Sequence, residues 1–178
     1  MVKRLLIFGI LNFGGLAIGA YFTDPGVASE WYQNMQQAPW TPPGWVFGAA
    51  WTTIMICFTI YLALLWEELE NQGPSTNQAP SHKSSDEIRM NSIRAKNKSQ
   101  LIYLFISALI LNVVWNFIFF YLHQVGIAAA VIAALTCIVF FFGFRYWDQM
   151  KIKTLLLAPY AIWMCIATSL NVYALVMN

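Results

Sequence analysis

Five long apolar stretches limit what this chain can become: approximately Leu5–Thr23, Gly44–Trp66, Ser99–Leu122, Val125–Trp147 and Ile152–Met177. A helix needs about 20 predominantly apolar residues to cross a bilayer core, and each stretch meets that length. Composition agrees, with 59% hydrophobic and 10% charged residues, against roughly 25% charged in soluble domains. The expected architecture is all-α, one membrane domain over residues 1–178, a five-helix bundle with a polar insert at about 67–98.

The first stretch, "MVKRLLIFGILNFGGLAIGA", also has the basic start and small-residue end of a secretory signal. Its apolar run of about 19 residues exceeds the roughly 7–15 of a signal core, and we read it as a retained helix.

Charge supplies an orientation. With alternate connections on opposite faces, every Lys and Arg falls on one face: Lys3, Arg4, Lys83, Arg89, Arg94, Lys96, Lys98, Arg145, Lys151 and Lys153. The other face holds Asp24 and Glu30 and no base. By the positive-inside rule the amino terminus is cytoplasmic and the carboxy terminus outside, and a helical bundle with this bias is expected in a bacterial inner membrane. The insert is rich in Ser, Asn, Gln and Pro, and its first half reads as a flexible linker. Ser85 before "DEI" suits a helix cap leading into the third span. The basic residues from Arg89 to Lys98 suit either anionic headgroups or a solvated loop that fixes topology.

No Walker loop, nucleotide fingerprint or nucleophile elbow is present. Cys57, Cys137 and Cys165 fall inside spans, where apolar packing is the expectation. His82 and His123 read as loop histidines, and no metal site is expected. Polar groups within spans are more informative. Asn12, Asn112, Asn116 and Asn171 must each find a partner, since an unpaired amide in an apolar setting costs roughly 2–7 kcal/mol. Their ordinary use is to hold helices together, and a pocket role is the alternative. Gly15/Gly19 and Ala130/Ala134 form small-xxx-small pairs that allow close helix contact, within the bundle or between protomers.

The segment "WYQNMQQAPWTPPGWVFGAAW", Trp31–Trp51, carries four tryptophans and three prolines. It is too proline-broken for one helix. Pro42 and Pro43 suit the start of the second span. Trp31, Trp40 and Trp45 fit an interfacial aromatic belt. Trp51 lies nearly two turns deeper than Trp45 and, with Trp115 and Trp163, can supply stacking walls for a planar ligand.

These residues resemble the translocator protein family, also called peripheral-type benzodiazepine receptors or tryptophan-rich sensory proteins. The resemblance runs through Trp31-Tyr32, Trp40-Thr41-Pro42-Pro43-Gly44-Trp45, Trp51, Asn112, Trp115, Ile118–Phe120, Pro159-Tyr160, Trp163 and "ATSLN" at Ala167–Asn171. It implies a bundle whose first loop, with Trp31, Trp40, Pro42 and Pro43, lids a pocket lined by Trp51, Asn112, Trp115, Trp163, Ala167 and Leu170, with Trp45 at the mouth. The implied ligand is protoporphyrin IX, a haem-related tetrapyrrole or another planar apolar molecule, with no required cofactor. The implied partners are the bilayer and a second copy in a homodimer; a nucleic-acid partner is not expected. The leading function is binding and sensing. The alternative is light- and oxygen-dependent porphyrin degradation with Trp51 and Trp163 as catalytic residues; a sterol or porphyrin transporter ranks below both.

Departures from the family pattern carry weight. Gln37-Ala38 replaces a Lys-Pro, Asn116-Phe117 replaces a pair of prolines, and Ile127 replaces an aromatic residue. The family's carboxy-terminal sterol pattern needs a base after Tyr173, and "ALVMN" has none. A reversed pattern at Lys98, Tyr103 and Leu109 is hypothesis-grade, so sterol binding is discounted.

Overall fold

The computed structural model describes residues 1–71 and 85–178. The chain forms α1 (Val2–Ala28), a short α2 (Glu30–Gln33), α3 (Gly44–Asn71) and α4 (Ser85–Asn116). A π-helical turn, Phe117–Tyr121, ends the third span. Then come α5 (Val125–Arg145), a short α6 (Trp147–Met150), a 3-10 segment (Lys151–Leu157) and α7 (Ala158–Met177). Five helical segments are long and apolar enough to cross a membrane, and no strand occurs among the described residues.

Several boundaries differ from those read off hydropathy. The polar insert expected at 67–98 is helical at both ends, because α3 continues through Asn71 and α4 begins at Ser85. Cross-bundle ion pairs hold these charged turns: Arg4 with Glu70, Lys98 with Glu70 at 3.5 Å, and Lys153 with Glu68 at 2.6 Å. Hydropathy stops counting where charges begin, whereas a helix stops where its backbone loses partners. Of the flexible linker read over the first half of the insert, residues up to Asn71 are helical and the remainder, 72–84, lies outside the described residues, as does the Ser85 side-chain cap. The last span also starts differently, as a 3-10 segment before Pro159, which occupies the first turn of α7, where a missing amide costs nothing.

Packing follows helical periodicity. On α3 the buried positions Ile54, Met55, Phe58, Tyr61, Leu62, Leu65 and Leu69 form one stripe. Leu101 of α4 and Ile132, Leu135 and Phe142 of α5 join them in the core. The buried stripe of α1 is Phe8, Asn12, Gly15, Gly19 and Gly26. A Cβ at Gly15 would lie 2.5 Å from Leu109 Cδ1, and one at Gly19 would lie 2.9 Å from Asn116 Nδ2. The first small-xxx-small pair therefore serves contact within the bundle, whereas Ala130 and Ala134 are exposed. Lipid is as apolar as the core, so close backbone approach supplies van der Waals contact that hydrophobicity alone does not.

The cysteines depart from expectation. Cys57 is half-buried, and Cys137 and Cys165 are exposed on outward helix faces. Each helix of a five-helix bundle turns one side to lipid, so depth in a span does not imply burial in protein.

Candidate functional site

The chain between α1 and α3 is built to lie across one end of the bundle. Ser29 caps α2, its hydroxyl accepting from the Tyr32 amide at 3.2 Å. That turn fixes Trp31 and Tyr32 over the π-helical segment. Trp31 meets Phe119 edge-on at 5.6 Å and stacks on His123 at 4.1 Å. Tyr32 packs on Phe119 and Phe120, and burial raises its phenol above the ordinary tyrosine range. His123, read from sequence as a solvated loop histidine, is an exposed loop residue, and its ring also forms part of this aromatic clasp. Its backbone takes a left-handed conformation with φ 55°.

Beyond α2 the chain turns sharply at Ala38–Thr41, the Thr41 amide donating to the Ala38 carbonyl at 2.9 Å. It is then fastened to α7. Trp40 donates its indole N–H to Ser169 Oγ at 3.1 Å and meets Tyr173 edge-on. The Gln36 amide donates to Asn178 Oδ1 at 2.9 Å, and Asn178 Nδ2 donates back to the Gln36 carbonyl. The loop is thus clamped at both sides, by stacking on one and hydrogen bonds on the other. Trp45 is not part of this arrangement. It is 74% exposed at the first turn of α3, where an interfacial belt residue stands.

Beneath the clasp, Trp115 stacks on Phe119 at 5.4 Å. Its indole N–H donates to Asn171 Oδ1 at 3.0 Å, while Asn171 Nδ2 donates to the Ala167 carbonyl at 2.9 Å. Asn171 therefore orients Trp115 and ties α4 to α7. Ala167 is buried beside it, and Leu170 is half-buried. The π turn explains how consecutive Phe119 and Phe120 are both buried: the Leu122 amide reaches back five residues to the Phe117 carbonyl, widening the turn.

Three of the four span asparagines are paired as their chemistry demands. Asn12 donates to Thr59 Oγ1 at 2.9 Å. Asn116 donates to the Asn112 carbonyl and accepts from Thr23 Oγ1. Asn112 breaks the expectation. It is 7% exposed overall and its side-chain amide makes no hydrogen bond among the described residues, yet that amide keeps some access: the fully enclosed, unpartnered polar atoms there are Arg94 Nε, Tyr146 OH, Gln149 Oε1 and Thr154 Oγ1. It sits one helical turn below Trp115.

Trp51 and Trp163 occupy a second aromatic cluster, where α3 and α7 run antiparallel. Phe47 meets Trp163 edge-on at 5.2 Å, and one turn deeper Trp51 meets Tyr160 edge-on at 6.2 Å. Trp163 also lines a surface groove of about 310 Å³ with Val46, Ala50 and Pro159; Trp51 does not. The two indoles are thus part of a ladder of rings in which each has a neighbouring aromatic edge. Phe47 and Tyr160 were missed as partners, although spacings of four and three residues from Trp51 and Trp163 place each pair on one helix face. Among the described residues no cluster of His, Cys, Asp or Glu could hold a metal.

The loop between α1 and α3, held by paired aromatic contacts, is expected to respond to a ligand if one binds beneath it. Hydrogen exchange over residues 34–43 is expected to slow when protoporphyrin IX saturates the protein, with the α3 core at 58–65 unchanged. Lid exchange that stays the same at saturation would leave the tryptophans as an interfacial belt only.

Comparison with known proteins covers this whole arrangement. Residues 7–177 match the sequence model of the TspO/MBR family. The tryptophan-rich protein TspO of Archaeoglobus fulgidus is 28% identical over 90% of this chain and 87% of its own. Protein CrtK of Rhodobacter capsulatus is 27% identical over 87% of this chain and 80% of its own. The human translocator protein is 26% identical over 88% and 79%. The match spans all five membrane helices together with the clamped loop and the aromatic sites beneath it, and the chain belongs to the TspO/MBR family.

Proposed function

We propose that this protein binds and senses planar apolar ligands of the tetrapyrrole class, protoporphyrin IX foremost, beneath the loop between α1 and α3. The observation that carries this reading is Asn112: a still accessible amide with no hydrogen-bond partner among the described residues, one turn below a Trp115 whose own N–H is satisfied by Asn171. An accessible, unpaired amide within a span can hydrogen-bond the polar substituents of a flat ring, which a lipid tail cannot offer. The surrounding rings are contributed by three separate parts of the chain, α2, the end of the third span and α7. They can part to admit a flat molecule without breaking any helix. Trp51 and Trp163 supply further aromatic surface on the α3–α7 side.

Titration with protoporphyrin IX, followed by quenching of tryptophan fluorescence, tests the reading. Stacking on an aromatic ring is worth about 0.5–1.5 kcal/mol beyond buried area. Trp51→Phe and Trp163→Phe, which keep most of the ring area, are therefore expected to weaken binding by no more than about tenfold each, 1.4 kcal/mol being a factor of ten. Absence of saturable quenching in the wild type would remove the proposal. A discrete product made under illumination by the wild type, and lost in both Phe variants, would replace binding with catalysis as the function.

The proposed topology places the lid outside and the basic end in the cytoplasm. A reporter fused after Asn178 should be active outside the cytoplasm, and one inserted near Ser75 should be cytoplasmic. Both reporters on one side would reject it.

A further inference from the structure

A second site lies on the outer surface of the bundle at its base-free end, beside the aromatic clasp, with which it shares Ser29 and Phe120. Tyr21, Phe22, Asp24 and Pro25 of α1 and Phe120 and Tyr121 of the third span line a groove of about 530 Å³. Phe22 meets Tyr121 at 6.5 Å and Phe117 at 5.3 Å, so one wall is a continuous set of rings. Tyr21 is 76% exposed and Tyr121 66% exposed. The groove opens beside the outward face of α1, where Ile10 and Ile18 are exposed.

Two acceptors stand among these rings. Asp24 is a carboxylate at an end of the molecule that carries no Lys or Arg. The second follows from the sequence. Pro25 lies inside α1 and has no amide N–H, so the carbonyl of Tyr21, four residues earlier, lacks its α-helical donor. Both Tyr21 and Pro25 line the groove. A carboxylate and a carbonyl that lacks its α-helical i+4 donor attract a cation that carries N–H donors, and aromatic faces add a cation–π contribution. The exposed Tyr21 and Tyr121 hydroxyls can donate to a phosphodiester. The exposed apolar strip of α1 offers a path for acyl chains.

We propose that this groove is a binding site for an aminophospholipid, with the primary ammonium of an ethanolamine headgroup held by Asp24 and the Tyr21 carbonyl. The groove opens on the outer face of α1, so the proposal does not rest on ligand binding beneath the loop. A quaternary headgroup satisfies the aromatic walls but has no N–H for the carbonyl, and an anionic headgroup meets the Asp24 carboxylate unfavourably.

The test is native mass spectrometry of the full chain in detergent. It is incubated with equal amounts of phosphatidylethanolamine, its N-methyl and N,N-dimethyl derivatives, phosphatidylcholine and phosphatidylglycerol of identical acyl chains. Bound lipid is expected to fall stepwise as N–H groups are replaced by methyl, with phosphatidylethanolamine retained at least fivefold over phosphatidylcholine. Asp24→Asn should abolish that preference. Pro25→Ala, which gives the Tyr21 carbonyl an amide partner, should reduce it by at least half. Thermal melts and protoporphyrin titration of both variants establish that the bundle is intact. Equal retention of the ethanolamine and choline lipids, preference for phosphatidylglycerol, or wild-type selectivity in Asp24→Asn would each overturn the proposal.

Discussion

Gly26→Ala is expected to destabilise the protein by about 1–3 kcal/mol, the range for forcing extra volume into a packed site. A Cβ at this position would lie 2.5 Å from both Cβ and Cδ1 of Phe120 and 2.6 Å from its Cγ. Phe120 Cβ is bonded to backbone and cannot swing aside, so α1 or the π turn must move. The displacement should reach the lid, because Phe120 packs against Tyr32 at 5.6 Å. Two neighbours calibrate the effect. At Gly15 the nearest contact is the end of a leucine side chain, also at 2.5 Å, and Gly15→Ala should cost less. At Gly14 nothing lies within 4 Å, and alanine there should be neutral or stabilising by helix propensity, up to about 1 kcal/mol. Thermal unfolding of the three variants in one detergent checks the order. A Gly26→Ala melting temperature equal to that of Gly14→Ala would show that α1 does not pack against the π turn at this position.

The second large effect separates positioning from contact. Asn171→Leu removes the acceptor from the Trp115 indole N–H and leaves a half-buried donor unsatisfied, a cost of about 1 kcal/mol. Both stability and protoporphyrin affinity should fall, because Trp115 loses the bond that sets its ring plane. Asn112→Leu removes no hydrogen bond among the described residues. Its stability should be unchanged or improved, while affinity falls about two- to tenfold, the equivalent of one hydrogen bond of about 0.5–1.5 kcal/mol. Parallel thermal melts and fluorescence titrations resolve the two patterns. If Asn112→Leu loses stability and keeps affinity, that amide is helix glue and the ligand site lies elsewhere.

Much of the fold was legible because membrane spans are long, and lipid imposes one requirement on each. The five spans, their order and the one-sided basic residues follow from hydropathy and charge alone. The ends of α3 and α4 did not, because Glu68 and Glu70 lower the hydropathy of turns that ion pairs with Lys153, Arg4 and Lys98 then hold. Of the candidate site, the tryptophans and asparagines were visible as residues that sit awkwardly in lipid. Their partners were not. Nothing local to Asn171 distinguishes it from Asn112, yet one orients an indole and the other is unpaired.

Sequence by itself thus determined the five-helix membrane architecture, the base-free end that carries the loop between α1 and α3, and the family. The tertiary structure alone decided that Gly15, Gly19 and Gly26 face the third span, that Trp31 stacks on His123 and that Trp45 remains outside. It also brought Asp24, Pro25 and Tyr121 to one groove. Hydropathy is a property each segment has alone, and burial in lipid or in protein satisfies it equally. Which face meets which neighbour is a pairwise property, set by side chains as far apart in the chain as Trp40 and Ser169 that register only when the helices pack.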